Sequence, residues 1–222
     1  MIPALIFDFD GVIADSEVLA NAALADYLTG LGHPTTTEES LATYLGKRWA
    51  DVIATAEAKT GGKLPPTVSD EIKAAVHARF RAELAEVPGA RAFIRDHAHL
   101  PRAIASSSSA DRLALCLEVL GLARDFGPHV YSADLVARGK PDPGIFLLAA
   151  GRLNIPPAHC IVIEDSPGGI RAARAAGMTA IGLHAASHLP RDHAENLKSA
   201  GAHHIAASWG DMRELVGRLL PQ

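Results

Sequence analysis

Short apolar runs and longer helical patterns alternate along most of the chain. The runs lack the polar alternation of a strand with one solvated face, so they predict parallel strands that are covered on both sides. They lie at residues 4–7, 102–105, 130–131, 160–163 and 179–183, with a weaker run at residues 203–205. The helical patterns between them cover residues 90–97, 111–120, 142–153 and 168–176. This order of elements predicts an α/β fold built on a doubly wound parallel sheet.

The alternation is interrupted after the first strand. Alanine, leucine, glutamate and lysine recur there at helical spacing, and only the glycine- and proline-rich stretch at residues 61–66 breaks the pattern strongly. The turn after residues 13–16 and the Pro88-Gly89 pair mark the ends of this region. The pattern predicts a small α-helical domain inserted into the α/β core. The predicted ranges are residues 1–14 and 86–222 for the core and residues 15–85 for the helical insertion.

Composition and charge narrow the function classes. The 222 residues are 48% hydrophobic and 21% charged, which is typical of a globular protein. The net charge is −4 and no cluster of lysine or arginine stands out, so we expect neither a nucleic acid nor a membrane as partner. The apolar start at residues 1–9 is too short for a signal peptide or a membrane span, which predicts a cytoplasmic protein. Cys116 and Cys160 lie in no metal-binding pattern and are expected to be buried free thiols.

Two carboxylates follow the first predicted strand. Asp8 and Asp10 are two residues apart, so both side chains would leave the same face if the strand continues through them. That position is the carboxyl end of the sheet, where open α/β sheets bind ligands. Gly11 comes next and allows a turn close to a ligand. Buried carboxylates need a cation, although an isolated pair of this kind can also begin a solvated loop.

Polar residues also follow three later segments. The run Ser106–Ser109 lies between a strand and a helix, where hydroxyl and amide groups can hold a phosphate or simply cap the helix. Lys140 precedes a helix, a position at which many lysines are merely solvated. Glu164 and Asp165 end a buried strand, and one of them could be only a helix cap. Each signal is weak alone.

Together these segments resemble the four motifs of the haloacid dehalogenase superfamily. Residues 6–12 (Ile-Phe-Asp-Phe-Asp-Gly-Val) are similar to the first motif, and Ser106 occupies the position of the second. Lys140-Pro141 and Glu164-Asp165 resemble the third and fourth. The resemblance covers essentially the whole chain. It implies a Rossmann-like core with a helical cap, in the branch that contains phosphoglycolate phosphatase, sugar-phosphate phosphatases and β-phosphoglucomutase.

The resemblance implies roles for individual residues. Asp8 would be the nucleophile that forms an aspartyl-phosphate, and Asp10 the general acid and base. Ser106 and Lys140 would stabilise the charge on the transferring phosphoryl group, and Ser107 would help to bind it. Lys140 would also neutralise the Asp8 carboxylate. The cofactor would be Mg²⁺, which prefers hard oxygen ligands.

The implied metal ligands are the Asp8 carboxylate, the Asp10 backbone carbonyl and Asp165. Glu164 would either join them directly or act through water.

Within this family the sequence favours a phosphatase acting on a small phosphorylated metabolite, such as a sugar, sugar-acid or polyol phosphate. The alternative is a sugar phosphomutase, but Ala20 stands where the mutase has a histidine, and Trp49 stands at its cap arginine position with Arg48 one place earlier. A dehalogenase needs no acid for its leaving group, so Asp10 would be unexplained. A receiver-like phosphoacceptor domain is the alternative from another class, and the helical insertion argues against it.

The loop Gly46-Lys47-Arg48 is the candidate for recognising the rest of the substrate, since the cap loops of this branch set specificity. In that role Lys47 or Arg48 would favour an additional anionic group such as a carboxylate. The alternative is a helix start with two solvated cations. The eleven histidines show no ligand pattern, and nothing in the sequence predicts an oligomeric state.

Overall fold

The computed structural model describes residues 3–47, 49–190 and 192–220. Its strands are β1 (Ala4–Phe7), β2 (Arg102–Ser106), β3 (Val130–Ser132), β4 (Cys160–Glu164), β5 (Thr179–Leu183) and β6 (His204–Ala206). They form one sheet in the order β3-β2-β1-β4-β5-β6, and every neighbouring pair is parallel. The predicted doubly wound parallel sheet is therefore confirmed.

The helices fall into two groups along the chain. The first group follows β1 without any strand between its members, and the second alternates with the later strands. The first comprises α1 (Glu17–Gly30), α2 (Thr37–Tyr44), α3 (Trp49–Thr60) and α4 (Val68–Glu83). The second comprises α5 (Ala90–Asp96), α6 (Ala110–Val119), α7 (Ala123–Phe126), α8 (Gly144–Leu153), α9 (Pro167–Ala175), α10 (His193–Ser199) and α11 (Trp209–Leu219). Short 3₁₀ helices cover Ala133–Leu135 and Pro157–His159.

Both faces of the sheet are covered, which explains why the strands lack polar alternation. Successive side chains of a strand point to opposite faces. On one face Ile6 packs in a cluster that includes Phe146 of α8. On the other face the ring of Phe7 lies 6.2 Å from that of Phe93 in α5 and 6.1 Å from that of Trp209 in α11. A run of apolar residues without alternation is the pattern that such a sheet requires.

The chain forms two compact units. One contains Met1–Asp15 and Ala85–Gln222, and the other contains Ser16–Leu84. In the second unit α1 packs against α2 and α4, and the Ser40 hydroxyl donates a buried hydrogen bond of 3.0 Å to Asn21. The first unit consists of two chain segments, and these pair where the first ends and the second begins: the Asp15 amide donates to the Ala85 carbonyl at 3.0 Å. The domain boundaries given above stay a prediction.

The chain turns immediately after β1. This strand ends at Phe7, and the amides of residues 12–14 all approach the Phe9 carbonyl, at 2.8–3.4 Å. Gly11 has a φ of +75°, which a residue with a side chain rarely adopts. The strand therefore does not continue through Asp10, and the condition under which the two aspartates would share one face is not met.

Cys116 and Cys160 are buried free thiols, as predicted, and burial raises their pKa values to about 12 and about 11. None of the described helices is both long enough and apolar enough to cross a membrane.

Candidate active site

The candidate site lies at the carboxyl edge of the sheet, between β1 and β4. The strand order reverses there, since β1 has β2 on one side and β4 on the other. Open α/β sheets bind ligands outside the carboxyl ends of the strands at such a reversal. Asp8 directly follows β1, and its amide donates to the carbonyl of Ile163 in β4 at 2.9 Å. Glu164 and Asp165 stand at the end of β4.

Three buried acids meet at this edge. One carboxylate oxygen from each of Asp8, Glu164 and Asp165 lies within 4.8 Å of the others. Like charges this close and buried are unfavourable unless a cation compensates for them. Burial raises the pKa of Asp8 to about 7; the Lys140 charge opposes this rise and the Glu164 charge adds to it. A set of carboxylate oxygens fits a hard divalent cation such as Mg²⁺.

Lys140 joins two of these acids. Its Nζ donates to Asp8 Oδ1 at 2.6 Å and to Glu164 Oε1 at 2.6 Å, and its side chain is only 6% exposed. Burial opposes the charged form, but the two carboxylates outweigh burial and raise the pKa of Lys140. The Phe146 ring lies 4.9 Å from Nζ. Lys140 is therefore a fixed, charged group that holds Asp8 in place.

The second oxygen of Glu164 is held by the start of α9. Ser166 donates to Glu164 Oε2 from its amide at 2.9 Å and from its hydroxyl at 2.8 Å. The Ser166 hydroxyl in turn accepts from the Gly169 amide at 3.0 Å and so caps α9. Both Glu164 oxygens therefore have protein partners, and this carboxylate is oriented by the protein itself.

Gly169 leaves the space that Glu164 occupies, and we predict that Gly169→Ala is destabilising by about 1–3 kcal/mol. A Cβ at Gly169 would lie 1.7 Å from Glu164 Oε1, and this carboxylate cannot shift without losing Lys140 or Ser166. Urea denaturation measures the change. Gly168→Ala is the matched control, because no atom outside its chain neighbours and its own helix backbone lies within 4 Å of its Cβ position. Equal unfolding free energies for the two variants would contradict the prediction.

The serine run at residues 106–109 connects the end of β2 to the start of α6. Ser106 is buried at the end of β2, and its hydroxyl accepts from the Ser108 amide at 3.1 Å. Ser107 is exposed. Ser108, which sequence reasoning did not single out, donates from its hydroxyl to Asp10 Oδ2 at 2.6 Å. Four consecutive serines carry no signal that separates one from another.

Asp10 lies outside the three-acid cluster but within an ion pair. Arg112 of α6 donates to Asp10 Oδ1 at 2.7 Å. The sequence separation is 102 residues, and a helical arginine gives no sequence signal for such a contact. The predicted metal ligand at this position is the Asp10 backbone carbonyl, so the ion pair does not conflict with it.

Sequence reasoning also missed two histidines beside Asp165. His193 of α10 lies with Nε2 2.6 Å from the Asp165 carbonyl oxygen. The His188 side chain is 4% exposed, with Nε2 3.7 Å from Asp165 Oδ2, and burial lowers the pKa of this imidazole. Gly11 allows Asp165 to approach, because a Cβ there would lie 1.8 Å from Asp165 Oδ2. These contacts join the segments that follow β1, β4 and β5.

The predicted specificity loop belongs to the second compact unit. Gly46 has a φ of +73°, and the exposed Lys47 donates to Thr55 Oγ1 at 3.3 Å. Arg48 lies outside the described residues. Trp49 begins α3, and its indole donates to Ser69 Oγ at 2.8 Å. The substrate-binding role of this loop stays a prediction.

Comparison with known proteins settles the family. A sequence model of haloacid dehalogenase-like hydrolases matches residues 2–177. The chain belongs to this family. Among its relatives, fructose-1-phosphate phosphatase YqaB of Escherichia coli K12 is 32% identical over 177 residues, covering 80% of this chain and 94% of that protein. Hexitol phosphatase A of the same organism is 31% identical over 191 residues, covering 84% and 85%.

Solved structures agree with this assignment. A HAD family hydrolase of Deinococcus radiodurans R1, whose crystal structure contains bound phosphate and sodium, superposes with a TM-score of 0.84 at 32% identity. The match covers 99% of this chain and 97% of that one. The predicted family, the Rossmann-like α/β fold and the prediction of a hydrolytic enzyme of the haloacid dehalogenase type are thereby confirmed. The roles of individual residues stay predictions.

Proposed function

We propose that this haloacid dehalogenase-like hydrolase is a Mg²⁺-dependent phosphatase that acts on a small phosphorylated metabolite through an aspartyl-phosphate at Asp8. The observation that carries the proposal is the position of Asp8, buried at the end of β1 beside two further acids and fixed by Lys140. A nucleophilic carboxylate needs a neighbouring cation to accept a phosphate dianion. A sugar, sugar-acid or polyol phosphate is the proposed substrate class, supported by the phosphatases to which the chain is similar.

The donor set fits Mg²⁺. Asp8, Asp165 and the backbone carbonyl of Asp10 would hold the ion, which prefers a few carboxylates and keeps several waters. Bound there, the ion would reduce the electrostatic repulsion between Asp8 and the phosphate, and it would polarise the phosphate oxygens. Glu164, with one oxygen on Lys140 and the other on Ser166, suits the indirect role through water.

Individual side chains would have different roles in the reaction. Lys140 holds Asp8 through Oδ1, and Asp8 attacks phosphorus. Lys140 and Ser106 would stabilise the charge on the transferring group, with Ser107 as a further phosphate contact. Asp10 would protonate the departing alkoxide and then take a proton from the water that hydrolyses the aspartyl-phosphate. General acid and base catalysis of this kind contributes about 10²- to 10⁴-fold. Gly46, Lys47 and Arg48 are proposed to contact the rest of the substrate.

Phosphate release from p-nitrophenyl phosphate and from a panel of sugar, sugar-acid and polyol phosphates tests the proposal. We expect turnover that requires Mg²⁺, stops with EDTA and returns when Mg²⁺ is restored. Release of free phosphate at the same rate as substrate loss identifies a phosphatase. Isomerised substrate without free phosphate would instead show a mutase, and stable self-phosphorylation without turnover a phosphoacceptor domain.

A further inference from the structure

Asp10 has a donor on each of its carboxylate oxygens. Arg112 donates to Oδ1 at 2.7 Å and Ser108 donates to Oδ2 at 2.6 Å. The side chains of Asp10 and Arg112 are 13% and 22% exposed, so this pair is largely shielded from solvent. Hydrogen bonds in which the donor or the acceptor is ionised are shorter and stronger than those between neutral groups. The carboxylate is thus held at both oxygens by groups far away in the sequence.

Ser108 and the helix that carries Arg112 are themselves held by hydrogen bonds and by core packing. The Ser108 carbonyl accepts from the hydroxyl of Ser132 at the end of β3, at 2.8 Å, and the Ser108 amide donates to Ser106 at 3.1 Å. The first amide of α6, at Ala110, donates to Asp134 at 2.9 Å. The neighbours of Arg112 along α6 include Leu113 and Cys116, which are buried in the core. The ends of β2 and β3 therefore fix the two donors relative to the sheet.

We infer that Arg112 is a positioning residue which, with Ser108, holds the Asp10 carboxylate in the orientation for proton transfer. The inference rests on the proposed function of Asp10 as general acid and base. A proton donor must lie within about 2.6–3.2 Å of the oxygen that it protonates. Asp10 itself lies beyond the end of β1, next to Gly11, and the bridge that its backbone forms with Ala14 does not fix its side chain. The two donors supply that restriction.

The loss of activity in an Arg112 variant should depend on the leaving group of the substrate. Alkyl phosphates need protonation of their leaving oxygen, whereas p-nitrophenolate leaves without it. In Arg112→Met we expect kcat/KM for an alkyl phosphate of the panel to fall by about 10- to 100-fold, as expected for a misplaced catalytic group. For p-nitrophenyl phosphate we expect kcat/KM to stay within about threefold of wild type. This ratio reports the steps up to formation of the aspartyl-phosphate, and p-nitrophenolate needs no acid to leave in those steps. KM should change little, and Arg112→Lys should restore part of the lost rate.

Control variants separate this role from others. Ser108→Ala removes the second donor and should show the same selectivity. Arg213→Met removes an arginine that is 51% exposed and pairs with Asp96, and it should leave both substrates unaffected. Thermal unfolding identifies any variant that loses activity through misfolding. If Arg112 instead binds an anionic group of the substrate, KM rises for substrates with a second charge and the loss no longer depends on the leaving group. That result would overturn the inference.

A double-mutant cycle provides the decisive comparison. Asp10→Asn should itself lose kcat/KM for alkyl phosphates and retain it for p-nitrophenyl phosphate. In that background Arg112→Met should change the alkyl phosphate value by less than about twofold, because Arg112 acts through Asp10. Independent, additive losses would overturn the inference alone. If Asp10→Asn shows no dependence on the leaving group, the proposed role of Asp10 fails as well, so the two failures can be told apart.

Discussion

Asp8→Asn is expected to abolish turnover, with kcat lower by at least about 10⁴-fold, as for the removal of other enzymatic nucleophiles. An amide does not attack phosphorus, and the change also removes one negative charge from the proposed metal site. The substitution is nearly isosteric, and Lys140 keeps Glu164 as partner, so the fold should persist. Steady-state hydrolysis of p-nitrophenyl phosphate measures the loss, and circular dichroism checks the fold.

Asp96→Asn is the matched control for this variant. Asp96 is a half-exposed carboxylate of the same compact unit, and its partner is Arg213. Its replacement should leave kcat unchanged. Full activity in Asp8→Asn would contradict the mechanism outright.

Lys140→Met is expected to give the largest loss of stability, about 3–5 kcal/mol, which is typical when one partner of a buried charged group is removed. Asp8 and Glu164 would remain buried at the same edge without their shared cation. Methionine keeps much of the contact with Phe146, so the loss reports charge more than packing. Urea denaturation measures the free energy of unfolding.

The loss should grow with pH. Burial already raises the pKa of Asp8 to about 7, and without Lys140 that pKa rises further. When the pKa of a carboxyl group is higher in the folded protein than in the unfolded chain, the unfolded chain releases the proton at a lower pH. The free energy of unfolding therefore falls once the pH exceeds the pKa of the unfolded chain. The deficit of Lys140→Met should therefore be larger near pH 8 than near pH 5. Lys198→Met is the control: its lysine is 56% exposed and pairs with Glu195, so less than about 1 kcal/mol should be lost. Equal losses in the two variants would contradict the assigned role of Lys140.

The strands and the main acids could be predicted because their signals are local. A strand covered on both faces shows as an apolar run, and polar residues directly after such a run fall at the carboxyl edge. Asp8, Glu164 and Asp165 were found in this way. α11 was missed, although Trp209, Met212 and Val216 follow one another at helical spacing and are buried.

The contacts around the acids could not be predicted, because they join residues that only the fold brings together. Arg112 and His188 gave no local signal, and each lies beside its acid through the packing of another element. Lys140 was predicted as a partner of Asp8, but its second bond, to Glu164, appears only in the structure. Ser108 could not be distinguished because it is one of four consecutive serines. Sequence patterns thus identified the acids, and tertiary structure was needed to show what holds them.

The measurement that tests the central claim most directly is chemical identification of the phosphorylated residue. Asp10→Asn, mixed with p-nitrophenyl phosphate and Mg²⁺, should form the intermediate and hydrolyse it slowly, since only the second step then lacks a catalyst. Acid quenching followed by borohydride converts an aspartyl-phosphate to homoserine, which peptide mass spectrometry locates. We predict homoserine at position 8 in proportion to the burst of p-nitrophenol. A stoichiometric burst with Asp8 unmodified would contradict the account.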